Sequence, residues 1–393
     1  MALFDRVISA ITGRPTRERL AEVERAVRKL AEAERDRSTT TDARLDELIR
    51  AVGDRRIAKE LRELRQALRG VAAPQPAQSL FETVNQIAAS GRPVLIGPWT
   101  GEVGFELLYW IPFIEWLRAR WQLSPDREVI VSRGGVASWY GQRADRYVDI
   151  LSLFGADEFR AAVAEEKRKH RRPAAFDERV TDAVVRRRGL GDIDVLHPGL
   201  MFRAFAPYWS DEAGYALIDQ FTRPRLLERP AETLRTPLPA DYVAVRFYFS
   251  ECLPATPENR LFARHVVSSL AERTTVVMLN PGFAVDEHAD WMPDSRDRII
   301  SIGDGLTPER NLAVQSAVIA GARAFVGTYG GYSYLAPLYK VPAVAFYSRP
   351  SFKLHHLHAA QRAFSQIGAA ALMPIDVAQA SLVQVALGAL VAA

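Results

Sequence analysis

Two glycine-rich segments each follow a short apolar run and precede an apolar helical pattern. One of them is Ala324–Tyr347, in which Gly330 and Gly331 form the turn. Glycine lacks the Cβ that would keep a ligand away from the backbone, and the first N–H groups of a helix attract anions. The segment predicts a strand, a phosphate-sized loop, a helix and a second strand, with a phosphorylated ligand at the loop.

The other glycine-rich segment is Val94–Ile114, which contains Gly97, Gly101 and Gly104. The spacing of these glycines differs from the G-x-G-x-x-G turn of dinucleotide-binding proteins, which argues against a simple NAD enzyme. Two strand–loop–helix units of this kind predict two domains, each with its own parallel sheet.

Three polar side chains are candidates for binding an anionic ligand near the second glycine segment. Arg246 lies at the end of a predicted strand, where α/β proteins bind ligands, and its fork can pair bidentately with phosphate. A structural ion pair is the alternative for Arg246. Asn311 and Gln315 stand one helical turn apart, so both can face the glycine loop and offer amides to a base, ribose or sugar.

A carboxylate in the first glycine segment is the candidate general base. Glu102 follows Gly101 and can face a cleft between the two domains. A glutamate near a helix N-terminus is also favoured electrostatically without any catalytic duty, so a structural role stays open. Glu106, one helical turn later, is the fallback base. Trp99 belongs either to the core and cleft wall or to a sugar contact.

Neither of two metal-like patterns is convincing. His355, His356 and His358 have no Asp, Glu or Cys beside them at ligand spacing, and zinc needs a more complete set. Asp192 and Asp194 resemble a metal-binding pair but lie far along the chain from the phosphate loop. We therefore expect no metal and no cofactor.

Composition indicates the class of protein and the cellular compartment in which the chain is expected. Its 393 residues, 48% hydrophobic and 25% charged, fit a soluble globular chain of two or three domains. One cysteine, Cys252, suits a reducing compartment, and no signal peptide or membrane-spanning run is present in the sequence. We expect a cytoplasmic chain, with peripheral contact at the inner face of the membrane as an alternative. The basic runs 167–172 and 186–188 lack interleaved aromatics, which disfavours nucleic acid.

The chain divides into five segments. Residues 1–70 are patterned for helices and predict a helical hairpin or coiled coil, with residues 17–68 available for a homo-oligomer or a partner protein. Residues 71–79 contain two prolines and predict a linker. Residues 80–235 and 236–375 form the two α/β domains, the first with helices near 105–120 and 142–154. Residues 376–393 predict a helix that packs on the body.

The ordered pair of glycine loops resembles the GT-B class of nucleotide-sugar glycosyltransferases, closest to the heptosyltransferase-like and fucosyltransferase-like branches. The resemblance covers roughly residues 92–375 and rests on Gly101–Gly104, on Gly327–Ser333 and on Arg246. It implies two facing Rossmann-like domains, an acceptor site in the first and a donor site in the second. It also implies donor-diphosphate contacts from Arg246 and from the loop residues Thr328, Tyr329, Gly330, Gly331, Tyr332 and Ser333.

The sequence thus predicts a glycosyltransferase, inverting and metal-independent, that moves a sugar from a nucleotide donor. The acceptor is a cell-envelope glycan, a lipid-linked saccharide or a protein. One alternative is a nucleotide-sugar epimerase of the same architecture. Another is a non-catalytic nucleotide-binding scaffold recruited through the N-terminal helices.

Overall fold

The computed structural model describes residues 76–141, 144–165, 172–232, 234–235, 237–280, 282–283, 289–292, 298–303, 306–348 and 354–392. The chain divides into two units, Met1–Glu82 and Thr83–Ala393, and every sheet lies in the second. The predicted N-terminal helices, residues 1–70, and residues 71–75 of the predicted linker lie outside the described residues.

The first sheet has four parallel strands in the order β3-β2-β1-β4. Its central strands are short, uninterrupted apolar runs because helices cover both faces of a parallel sheet. The strands are β1 (Val94–Ile96), β2 (Glu128–Ser132), β3 (Tyr147–Asp149) and β4 (Asp194–Leu196).

Several helices precede or connect the strands of this first domain. The second, α2, begins as Val103–Phe105, passes through a π-helical turn at Glu106–Trp110 and continues as Ile111–Trp121. The others are α1 (Pro76–Ser90), α3 (Ala156–Glu165), α4 (Ala175–Arg188), α5 (Gly199–Ala204), α6 (Ala206–Trp209) and α7 (Tyr215–Phe221).

The second sheet has six parallel strands in the order β12-β11-β10-β5-β7-β9, beside a small antiparallel ribbon of β6 and β8. The strands are β5 (Val243–Arg246), β6 (Tyr248–Phe249), β7 (Val276–Met278), β8 (Ala289–Asp290), β9 (Ile299–Ser301), β10 (Ala324–Thr328), β11 (Ala343–Tyr347) and β12 (Leu372–Asp376). The helices are α8 (Pro257–Ala271), α9 (Asn311–Gly321), α10 (Gly331–Leu338), α11 (Leu354–Ile367) and α12 (Ala380–Ala392).

Two parallel α/β sheets confirm the predicted fold class of two Rossmann-like halves. The central strand pair of the second sheet, β5 and β10, places Arg246 next to Gly327. The carboxyl end of β5 therefore lies beside the second glycine loop, as a doubly wound sheet requires for a ligand site.

Two local predictions are corrected by the structure. The helix predicted near 142–154 is replaced by the strand β3, whose Ser132↔Asp149 pairing with β2 extends the first sheet. Apolar residues that follow the strand at helical spacing, such as Ile150 and Phe154, give this segment the pattern of a helix. The helix α1 also takes in residues 76–79 of the predicted linker, because a proline is well tolerated in the first turn of a helix.

The C-terminal helix α12 packs on the second sheet. Val383, Ala386 and Leu387 lie in the same buried cluster as residues of β5, β7 and α8. Among the described residues, none of the helices is long and apolar enough to cross a membrane.

Candidate functional site

Arg246 is the last residue of β5 and is almost fully buried. Its Nη1 donates a hydrogen bond to Gln315 Oε1 at 2.5 Å, and its Cζ lies 4.1 Å from the centroid of the Tyr332 ring. The ring of Tyr248 lies 5.8 Å away. An amide oxygen and aromatic faces hold the guanidinium in a defined orientation without neutralising its charge by those contacts.

The amides of α9 continue this cluster. Gln315 Nε2 donates to Asn311 Oδ1 at 2.5 Å, and both side chains are buried. The single helical turn between the two residues brings them together, as expected from the sequence. The structure thus joins Asn311, Gln315 and Arg246 in one hydrogen-bonded cluster; their contact with a donor stays a prediction.

The second glycine loop connects β10 to α10, and its hydroxyl side chains bond within the loop or to its neighbours. Thr328 Oγ1 donates to the Tyr248 carbonyl at 2.7 Å and accepts from the Tyr248 N–H at 3.0 Å. Ser333 Oγ donates to the Gly330 carbonyl at 2.7 Å and accepts from the Gly330 N–H at 3.1 Å. These two hydroxyls therefore fix the loop at the start of α10.

The glycines of this loop make room for protein atoms. Gly330 has φ 153° and lies so close to the Tyr248 hydroxyl that a Cβ would overlap it. A Cβ on Gly331 would lie 2.8 Å from the Val103 Cβ and 2.9 Å from the Gly104 nitrogen. The missing Cβ atoms predict the approach of a ligand; in the structure they allow close packing against Tyr248 and against the first domain, and contact of this loop with a ligand stays a prediction.

Gly104 plays the matching part on the other side of this contact. A Cβ at Gly104 would lie 3.3 Å from the Tyr334 ring and 3.5 Å from the Gly331 Cα. The N-terminal turns of α2 and α10 therefore meet, one from each domain. Tyr334 and Tyr329 share a hydrogen bond between their hydroxyls, and burial raises the pKa of both phenols, so both stay neutral.

Glu102 lies at the start of α2 with extended backbone, φ −70° and ψ 146°. It is exposed, and its neighbour Val103 contacts Gly331. Glu102 thus lies beside the junction of the two glycine loops, and its role as general base stays a prediction.

Glu106, the fallback base, is instead buried and forms a structural ion pair with Arg133. It accepts hydrogen bonds from Ser132 Oγ at 2.6 Å, Tyr140 Oη at 2.5 Å and Arg133 Nη1 at 2.8 Å. Burial alone would lower the pKa of Arg133, but the adjacent charge of Glu106 raises it above its ordinary value. A carboxylate that is fully buried and bonded to these three partners has no access to an acceptor.

Arg133 extends the ion pair to the first glycine loop. Its Nη2 donates to the carbonyl of Gly101, which ties the loop to the end of β2. Trp99 in the same loop is fully buried and stacks on Trp110 at 5.8 Å and on Phe202 at 6.1 Å. Trp99 therefore belongs to the core, the alternative to a sugar contact.

The three histidines of α11 pair with the first domain. His355 Nε2 lies 2.6 Å from Asp211 Oδ1, and His358 Nδ1 lies 2.6 Å from Tyr215 Oη. His356 Nδ1 lies 2.8 Å from Tyr109 Oη, on the π-helical turn of α2. Across the part of the chain that the structure describes, no group of His, Cys, Asp or Glu is arranged to hold a metal ion.

The segment Gly134–Tyr140, whose aromatic residues 139 and 140 the sequence places neither in the core nor in a site, lies directly against α9. The Ala313 N–H donates to the Gly134 carbonyl at 2.8 Å. Trp139 Nε1 donates to Ser316 Oγ at 3.0 Å. A glycine pair one residue after the predicted strand 128–132 is the sequence signal for this loop.

Asp149 anchors the same segment from β3. It accepts hydrogen bonds from the Gly135 N–H at 2.7 Å, the Leu151 N–H at 2.9 Å and Tyr147 Oη at 3.0 Å. Burial nevertheless raises the pKa of Asp149 to about 7, because desolvation outweighs these bonds.

No protein-family model and no curated protein matches the sequence. Among solved structures, the chain is similar to TibC, an iron-containing dodecameric glycosyltransferase from enterotoxigenic E. coli H10407. The two share 18% identity over 65% of this chain and 58% of TibC, with a TM-score of 0.35. The chain thus matches less than two thirds of the length of TibC.

Two further solved structures are similar to the chain. One is a family 9 glycosyl transferase from Veillonella parvula DSM 2008, with 13% identity over 73% of this chain and 86% of that one, and a TM-score of 0.37. The other is the glycotransferase of kitacinnamycin, with 14% identity over 76% and 91% and a TM-score of 0.32.

Proposed function

We propose that the chain is a GT-B-type glycosyltransferase that moves a sugar from a nucleotide-sugar donor to a glycan, a lipid-linked saccharide or a protein. The observation that carries the proposal is the setting of Arg246. A buried guanidinium at the carboxyl end of β5, oriented by Gln315 and Tyr332, lies beside the N-terminus of α10. A cation and the positive end of a helix, both at the carboxyl end of the parallel sheet, suit a diphosphate.

Arg246 has a direct role in the proposed reaction. When the bond between the sugar and the diphosphate breaks, negative charge grows on the leaving phosphate oxygens. A fixed guanidinium stabilises that charge without reorganising, and it supplies the positive charge that a divalent cation supplies elsewhere. The transfer is therefore proposed to be metal-independent.

Glu102 is the proposed base on the acceptor side. Its exposed carboxylate at the junction of the two glycine loops would take the proton of the acceptor hydroxyl as that oxygen attacks the sugar carbon. Attack opposite the leaving diphosphate in a single displacement inverts the configuration of that carbon. Glu106 has no part in this step because it is buried with Arg133.

A thermal-shift panel of UDP-, GDP-, ADP-, CMP- and dTDP-linked sugars tests the donor site, because a ligand that binds only the folded state raises its stability. We expect at least one donor to stabilise the wild-type chain and to lose this effect in Arg246→Ala. Arg264→Ala, on the exposed surface of α8, is the matched control and should keep the shift.

The proposal is contradicted if the wild-type chain is folded and none of these donors raises its melting temperature. Once a donor is known, Glu102→Gln should bind it normally and slow transfer by about 10²- to 10⁴-fold. Donor turnover that yields an isomeric nucleotide sugar without an acceptor would replace the transferase by an epimerase.

A further inference from the structure

We propose that Trp139 of the first domain is a positioning residue for Arg246 of the second, acting through Ser316 on α9. The contact would make the orientation of the anion-binding arginine depend on how the two domains are docked. The inference rests on the proposed function for its ligand, whereas the orientation of Arg246 can be measured without any ligand.

The first step is that α9 sets the position of Arg246. Gln315 accepts from the guanidinium with its amide oxygen and donates to Asn311 with its amide nitrogen, both at 2.5 Å. The side-chain oxygen of Asn311, Oδ1, fixes which end of the Gln315 amide faces Arg246. A small rotation or shift of α9 therefore changes the hydrogen bond to the guanidinium directly.

The second step is that the first domain contacts these same two turns of α9. Ser316, next to Gln315, accepts a hydrogen bond from Trp139 Nε1 at 3.0 Å, and both side chains are fully buried. Gly134 approaches so closely that a Cβ there would lie 2.7 Å from Leu312 Cγ. The helix that holds Arg246 is thus packed against and hydrogen-bonded to the other domain.

The third step is that the contacting loop is itself fixed within the first domain. The Trp139 carbonyl accepts from Arg225 Nη2 at 2.7 Å, and the Tyr140 carbonyl accepts from Arg118 Nη1 at 2.9 Å. Tyr140 also donates to the buried Glu106 at 2.5 Å. Because these bonds fix the Trp139–Tyr140 loop within the first domain, its contact with α9 depends on how the two domains are docked.

The experiment compares Ser316→Thr with Ser316→Val in the full chain. The two replacements have the same shape, and only threonine keeps the hydroxyl that accepts from Trp139. The first readout is the Nε–Hε resonance of Arg246 in a ¹H–¹⁵N spectrum, assigned by its loss in Arg246→Lys. The second readout is the affinity for inorganic pyrophosphate, measured by calorimetry.

We expect Ser316→Val to shift the Arg246 resonance and to weaken pyrophosphate binding by about tenfold relative to Ser316→Thr, the size of one lost hydrogen bond. Trp139→Phe should have the same effect, and adding it to Ser316→Val should cost little more, because both remove one bond. An unchanged Arg246 resonance and equal affinities in the threonine and valine variants would overturn the inference.

The two proposals fail separately. Absence of pyrophosphate binding to the wild-type chain contradicts the anion site of the proposed function. In that case the resonance comparison still decides whether Trp139 and Ser316 position Arg246, because it needs no ligand.

Discussion

Two buried arginines occupy comparable places in the two domains, and the chain holds them in chemically different ways. Arg133 directly follows β2, and Arg246 ends β5. Arg133 donates to the carboxylate of Glu106, whereas Arg246 donates to the neutral amide of Gln315 and stacks on Tyr332.

The difference separates an arginine that is paired with a carboxylate inside the fold from one that the proposed function assigns to an anion. A carboxylate contact neutralises the guanidinium, and Arg133 then uses its remaining donors to hold the carbonyl of Gly101. An amide contact orients a guanidinium without neutralising it. Burial of charge costs free energy, so a site that orients a buried arginine through an amide is a candidate for function.

The largest effect is expected from Glu106→Gln, which tests whether the ion pair with Arg133 stabilises the fold. The change leaves the buried charge of Arg133 without its carboxylate, and breaking a buried ion pair costs about 3–5 kcal/mol of unfolding free energy. Urea denaturation followed by circular dichroism measures the loss.

The control for this change is Glu102→Gln, a glutamate on the same helix start that is exposed. The contacts of an exposed charge contribute about 1 kcal/mol at most, so Glu102→Gln should cost clearly less unfolding free energy than Glu106→Gln. Equal stability of the Glu106→Gln and Glu102→Gln variants would show that the Arg133 ion pair contributes nothing to the fold.

The change Gln315→Glu places a carboxylate where the amide oxygen of Gln315 contacts Arg246. The new carboxylate should neutralise the guanidinium and compete with a bound anion, so pyrophosphate affinity should fall by about 50-fold, roughly 2.3 kcal/mol. The change also removes the Gln315 donor to Asn311 Oδ1, so the Asn311 amide must turn its nitrogen toward the new carboxylate, and circular dichroism checks that the variant is folded. Calorimetry measures the affinity, and an unchanged value would remove Arg246 from the anion site.

A second buried carboxylate beside the first arginine predicts a pH effect on stability. The pKa of Asp149 is about 7 in the folded chain, raised by burial, and near 4 in an unfolded chain, so the folded state binds its proton more tightly. The resulting stability is complete below about pH 4 and is lost as the pH rises through 7.

Between pH 5 and pH 7.5 the wild-type chain should therefore lose roughly 2 kcal/mol more unfolding free energy than Asp149→Asn, which cannot titrate at this position. Denaturation curves at the two pH values measure this difference. Parallel pH dependence of the two chains would show that Asp149 titrates at its ordinary pKa.

The sheets could be predicted because parallel strands covered on both faces read as short apolar runs between glycines and prolines. This holds for β1, β2, β10 and β11. The strand β3 was missed because apolar residues at helical spacing follow it directly, and only its pairing with β2 identifies it. Pairing between distant segments is not encoded in local periodicity.

The candidate site was predictable only where local rules apply. Asn311 and Gln315 meet because they are one turn apart, and Arg246 ends a strand at the sheet edge. The partner of Glu106 could not be predicted, since Arg133 is distant along the chain and the contact depends on how α2 packs on β2. Sequence also cannot tell whether a glycine admits a ligand or another loop.

The contact between the two glycine loops sharpens the comparison of the two domains, because it is where their helix N-termini meet. A methyl group added by Gly331→Ala would lie 2.8 Å from the Val103 Cβ and 2.9 Å from the Gly104 nitrogen, so either the loop or the first domain must shift. Overpacking of this kind costs about 1–2 kcal/mol.

Val103→Ala removes both Cγ methyl groups but leaves the Cβ and the Gly104 nitrogen in place, so the double variant should recover only part of the loss. Unfolding free energies of the single and double variants measure this coupling. A Gly331→Ala variant as stable as the wild type would mean that the two glycine loops do not touch in solution.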